Sequence, residues 1–430
     1  MMIELADEIL KKAMIYADDA EVFLEKGKSQ EIQIRDNKID LSWEGSSFGI
    51  GLRIIKNNKL GFSYTSDIKK IDKMIENCVK NANSNVKDKN FNFAKPSKYK
   101  KPENIYDPKF FEDEIKYEFV KEMIEICKEK NCNLVTGGFS ASLNEVTIVN
   151  SNDVECYEKS TTFSAYLSVN TGNENKSSAH ESDSSRMMDL DPKIAERACN
   201  IAIESLKPKS FETCNIDVVF DYHAASSLLD PLVNALNSDN VQRGRSIFAN
   251  KINQKVATSN LTVYDNGIVD KGINSSSFDD EGVPSQNTTL IKKGILKGFM
   301  YDLYTAKKEN KKSTGNGLRS SFSETPKVSP TNLIFDFEEK IKMSEIKRAI
   351  LVYDVLGAHT ANPISGDFSV KANNAFLIEN GEIKYPIKDI MIFGNVFSML
   401  KKLNAIKSKI RQIGPFIIPK FYVKDIHITA

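Results

Sequence analysis

"EIQIRDNKIDLSWEGSSFGIGLRII", residues 31–55, reads as a strand, a polar turn and a second strand. Ile32 and Ile34 alternate with polar neighbours, Asp36-Asn37 supplies turn residues, and "FGIGLRII" resumes an apolar β pattern. The same order returns 114 residues later in "EVTIVNSNDVECYEKSTTFSAYLSV", residues 145–169. Glu31 aligns with Glu145, Ile32 with Val146, Ile34 with Ile148, Trp43 with Tyr157 and Glu44 with Glu158. The spacing predicts an internal duplication, one supersecondary unit per copy.

The flanking sequence fits that frame. "AEVFLEK" and "LGFSYTS" read as further short antiparallel strands, the latter following the turn at Lys56-Asn57-Asn58-Lys59. Apolar residues at helical spacing predict helices near the N-terminus and over 67–82, 111–130 and 192–206. A Lys/Pro-rich stretch, "AKPSKYKKPENIYDP", reads as an extended connector, and "KPKSFETCN" as a linker. Beyond Ile216 short strands and glycine turns dominate. "TLIKKGILKGFM" and "FLIENGEIKYPI" are near-copies of one hairpin, with turns ending in Gly294 and Gly381. Between them, residues 307–332 form a long segment without apolar periodicity, the kind of loop that is functional or disordered. The expected fold class is α+β. Residues 1–207 form an antiparallel sheet with flanking helices, and residues 208–430 a β-rich domain with few helices.

Composition narrows the function. The 430-residue chain carries 59 Lys+Arg against 58 Asp+Glu, so no global charge draws it to nucleic acid or to an anionic membrane. No apolar run approaches the ~20 residues of a membrane span, and the N-terminal stretch is an amphipathic helix rather than a signal peptide. A cytoplasmic location is expected. Six scattered cysteines, without a C-x-x-C pair, read as reduced and mostly buried thiols.

Several motifs fail on context. "GSSFG" (45–49) satisfies G-x-S-x-G, yet a strand follows where a nucleophile needs a helix. Gly49-Ile50-Gly51 lacks the third glycine of a dinucleotide site, and "STGNGLRSS" lacks the Gly-Lys-Ser/Thr of a phosphate loop. "FDDEG" (278–282) is either a cation-binding or a solvated acidic turn. His223, in "DYHAASSLLD", stands at a strand-to-helix junction, where zinc peptidases keep a ligand. The next residue is Ala224, which can take no proton, and only His180, His359 and His427 remain elsewhere.

Residues 259–321, from "SNLTVYDNG" through "FDDEG" to "STGNGLRSS", resemble the TldD/PmbA (TldE) family of zinc metallopeptidase subunits. "AHTANPISGDFSVKANNAFLIENGEIKYPIKDIMIFGNV" is similar to its PmbA/TldE branch, and "AEVFLEKGKSQEIQIRDNKID" with "GIGLRII" extends the likeness over nearly the whole chain. The resemblance implies a heterodimer that degrades unstructured peptides. Its TldD-type subunit holds zinc through His-Glu-x-x-x-His and a C-terminal cysteine. Projected here, those positions carry His223, Ala224 and Leu228, and no cysteine follows Cys214. The expectation is a TldE-like subunit with no catalytic residue, metal ligand or cofactor of its own, zinc residing in a TldD-type partner. His223, Asp279, Asp280, Glu281, Gly282, Asn316, Gly317, Arg319 and His359 would then line the substrate cavity, with Arg319 on a peptide carbonyl or carboxylate. Two alternatives stay open. One is an autonomous metallohydrolase joining His223 and His359 through Asp279, Asp280 or Glu281; the other is a non-enzymatic homodimeric binding protein.

Overall fold

The hairpin read at residues 31–55 is the end of a much longer one. In the computed structural model, which describes residues 2–172 and 176–430, strands β1 (Asp19–Arg35) and β2 (Lys38–Lys56) pair antiparallel along their whole length. Asp36 and Asn37 close the turn with φ of 48° and 59°, a left-handed pair matched to strand twist. The expected run of short strands is thus corrected to two long ones. Gly27 and Ser29 lie opposite Ser47 and Gly45, so a polar mid-section without apolar alternation still carries the backbone ladder.

The duplication is built as predicted, with Trp43 Nε1 donating to Glu31 Oε2 at 3.1 Å and the Tyr157 hydroxyl to Glu145 Oε2 at 2.7 Å. Helix α1 (Met2–Met14), β1, β2, β3 (Lys59–Thr65) and α2 (Ile71–Ser84) form one copy. Helix α3 (Asp113–Glu129), β4 (Asn133–Asn150), β5 (Glu155–Thr171), β6 (Ser177–Ser185) and α4 (Ile194–Glu204) form the other. The six strands make one sheet in the order β3-β2-β1-β4-β5-β6, with β1 and β4 antiparallel at the centre. All four helices pack on one face. Helices α1 and α2 cover Val22, Leu24 and Leu52, while α3 and α4 cover Ile32, Phe139 and Leu167. The opposite face offers Phe23, Ile148 and Cys156 to Phe278 of the C-terminal half.

That half is β-rich, as its sequence texture predicts. Strand β7 (Cys214–Phe220) pairs on one side with Arg348–Leu356 and on the other with Phe421–Thr429. Strands Asp367–Glu379 and Met391–Asn395 complete the circuit, so these five close into a barrel. A second, six-stranded sheet includes Leu261–Asn266, Asn287–Lys292 and Arg411–Ile413. Both predicted hairpins form, their turns Lys293-Gly294 and Asn380-Gly381 each holding two positive φ values. The apolar stretch after His223 is two short helices, α5 (Tyr222–Ser227) and α6 (Asp230–Leu236), with Pro231 opening the second. Among the described residues no helix is long and apolar enough to cross a membrane. All six cysteines are unpaired, and all but Cys214 are buried.

Candidate functional site

His223 sits where β7 leaves the barrel and enters α5. Asp221 caps that helix, its side chain accepting from the Tyr222 amide, and Lys420 Nζ meets the same carboxylate at 2.5 Å. The imidazole projects into a cavity of about 290 Å³ between barrel and N-terminal sheet. Its wall includes His180 and Glu181 from β6, Arg197 and Glu204 from α4, and Tyr353, Arg411 and Lys420 from the C-terminal half.

Glu181 is the centre of this site. Its carboxylate lies 2.6 Å from His223 Nε2, accepts from Arg197 Nε at 2.7 Å, and meets Arg411 Nη1 at 3.2 Å. Burial alone would raise this carboxyl, but the His223 hydrogen bond and the Arg411 charge outweigh it and hold it down at about 2. Glu181 is therefore ionised and can only accept, which makes His223 Nε2 the donor. His180 packs against the same imidazole with ring centroids 6.2 Å apart, and burial followed by the His223 charge pushes its pKa down.

The zinc donor set implied by the resemblance does not fit this helix. Ala224 and Leu228 are 0% and 3% exposed, packed as hydrocarbon in the barrel-side core, and His223 Nε2 is held by Glu181. Among the described residues no three His, Cys, Asp or Glu side chains are placed to share one ion. The alternative constellation is not assembled either. His359 is exposed on a short turn, and neither it nor Asp279, Asp280 or Glu281 lines the cavity around His223.

The acidic turn and the long loop do meet, as a buried clamp rather than an open cavity. Asp279 accepts from the backbone amides of Glu281, Val283 and Gly317, and Asn316 donates to Asp265. Gly282 takes a left-handed φ of 76° and packs beside Val154. Glu281 accepts from Arg53 Nη1 at 3.1 Å, and Arg53 also holds Glu21 through two N–H groups. Arg319, expected to face a peptide, has a side chain 1% exposed. It donates to Glu21 at 2.7 Å and to the carbonyls of Glu324 and Asp280, while its backbone amide donates to the Asp280 carboxylate. Burial dominates the local electrostatics. It lifts Asp280 to about 6, lifts Asp279 well above the carboxylate range with help from Glu281, and, together with the Arg53 charge, lowers Arg319 to about 10. Asp279, Asp280, Asn316 and Gly317 thus tie the acidic turn and the loop to one another and to Asp265, while Glu281, Gly282 and Arg319 meet the N-terminal sheet at Arg53, Val154 and Glu21.

Sequence reasoning missed Glu181, Arg197, Tyr353, Arg411 and Lys420. One signal was available: in "SSAHESDSS" an acid occupies an inward position of an alternating strand, next to buried Ala179. Nothing comparable marks Arg411 or Lys420, whose partners lie 230 and 199 residues away along the chain.

Fold and site together define a two-part α+β protein whose charged pocket lies at the strand-to-helix junction of its barrel. Comparison with known proteins sharpens this. Residues 20–82 match the PmbA/TldA metallopeptidase domain 1, residues 106–206 its central domain and residues 213–430 its C-terminal domain. The chain belongs to the PmbA/TldD metallopeptidase family. It is 34% identical over 409 residues to an uncharacterized protein of Methanocaldococcus jannaschii, covering 94% of this chain and 95% of that one. A metalloprotease of the same organism is 25% identical over 421 residues, covering 93% and 92%. The crystal structure of TldE from Thermococcus kodakarensis superposes with a TM-score of 0.92 at 25% identity, covering 99% of this chain and 100% of that one.

Proposed function

We propose that this chain is the non-catalytic, TldE-like subunit of a two-subunit peptidase acting on unstructured peptides, with zinc and the general base supplied by a TldD-type partner. The carrying observation is the helix after β7. Ala224 and Leu228 offer no donor atom, and the one histidine present is an element of an ion-paired cluster with Glu181 and Arg411. The end-to-end likeness to TldE of Thermococcus kodakarensis supports the same reading. The reading places the complex in the cytoplasm, in keeping with six unpaired cysteines.

Metal analysis and peptide hydrolysis, on the purified chain alone and after mixing with a TldD-type subunit, test it together. The expected result is no stoichiometric zinc and no cleavage from the chain alone, with zinc-dependent cleavage on mixing. An equivalent of zinc retained through dialysis, with unaided hydrolysis, would overturn the proposal. A stable homodimer indifferent to the TldD-type chain would overturn the partnership.

A further inference from the structure

The pocket around His223 has a floor and a rim of opposite sign. Glu181 is only 4% exposed beneath Arg411 and Arg197, and Asp221 only 8% beneath Lys420. The cations are more open, at 13% for Arg411, 22% for Lys420 and 41% for Arg197. Each buried acid orients a cation that still has N–H groups to offer. Arg197 Nη2 is shielded from water and has no hydrogen-bond partner among the described residues, though Asp183 lies 3.6 Å from it as an ion-pair contact. Lys420 sits over the rings of Tyr222 and Tyr353, at 5.5 and 5.8 Å, so cation and flat apolar wall adjoin. Glu204, the third acid of the lining, is exposed, where water screens it.

We infer that this pocket receives a carboxylate, the free C-terminal end of an extended peptide, with Lys420 and Arg197 on the carboxylate and the last side chain against Tyr222 and Tyr353. A cavity of about 290 Å³ walled partly by two tyrosines and Ile201 is far larger than a lone carboxylate needs. The peptide part rests on the function proposed above. The carboxylate part does not.

Calorimetric titration of the full chain at neutral pH with one short unstructured peptide, as free acid and as C-terminal amide, and with acetate, tests the assignment. The free acid is expected to bind at least about tenfold tighter than the amide, as a charge-assisted contact provides. That preference is expected to disappear in Lys420→Met and in Arg197→Met, the latter leaving the α5 cap intact. Equal affinity for acid and amide, or no binding of either, would overturn the carboxylate site; acetate binding as tightly as the peptide acid would overturn its peptide specificity. The measurement needs neither partner, zinc nor catalysis, so a zinc-holding chain would sink the subunit reading and leave this result standing.

Discussion

Gly49 shows what a single hydrogen atom in place of a side chain can decide. A Cβ there would lie 2.1 Å from the Phe322 ring, which the long loop lays across β2. Gly49→Ala is expected to destabilise the chain by about 1–3 kcal/mol, the cost of overpacking. The check is a lower urea midpoint at unchanged slope, with Phe322→Ala in the same chain relieving part of the loss. The glycines of "GSSFG" were legible as a motif without chemistry, but the packing partner of Gly49, more than 270 residues on, was not. Glu181 makes a sharper case. Its folded pKa of about 2 lies below the ordinary 4.5, so its stabilisation is present above about 4.5 and is lost as pH falls towards 2. Glu181→Gln is expected to cost about 3 kcal/mol at pH 7, as when one member of a buried pair is removed. Urea unfolding of both proteins at a series of pH values should show the difference shrinking below pH 4.5; a constant difference would contradict the ion-pair account.

Among the elements, the two hairpins ending in Gly294 and Gly381 were readable because each turn ends in a glycine at positive φ between apolar runs; Asn380 adds to that signal, whereas Lys293 takes a positive φ that its residue type does not announce. The loop over 307–332 was not readable. Its polar residues lack periodicity, yet Asn316 is fully buried, because its partners are an aspartate and a carbonyl rather than apolar neighbours. Arg319 is its anchor. Arg319→Met is expected to lower stability by about 3–5 kcal/mol, since Glu21 loses a charged donor inside the protein. Arg319→Lys should rescue little, because one ammonium cannot reach Glu21 and both the Glu324 and Asp280 carbonyls. Asp302 behaves oppositely to Glu181. Burial, aided by the Glu281 charge, lifts it to about 6 from an ordinary 3.8, so its contribution is full below about 3.8 and lost as pH rises through 6. Asn keeps the cap that Asp302 provides to the helix Leu303–Lys308. Asp302→Asn should therefore raise the urea midpoint at pH 8 and leave it unchanged near pH 3.5.

At the scale of the molecule, the α+β class and the repeat could be read from strand patterning, because alternation along each long strand marks the apolar face of one shared sheet that the four helices cover. The pocket could not be. It joins β6 and α4 to residues from Asp221 to Lys420, and no local pattern encodes which charges will meet across such distances. The strand order of the N-terminal sheet reads the same from either edge. Two αβββα units joined by the β1–β4 ladder, with Val149 of the second reaching the core of the first and Ile32 and Ile34 of the first reaching the core of the second, form the arrangement that two half-length chains would build by pairing edge to edge. The equivalence is broken where the C-terminal half docks on the second unit. Glu158 of the second unit is capped by Ser276 and Ser277, whereas its counterpart Glu44 stays at the surface beside Gln30. Severing the connector at residues 85–107 should leave two polypeptides that find each other again when coexpressed, each supplying half of one continuous ladder.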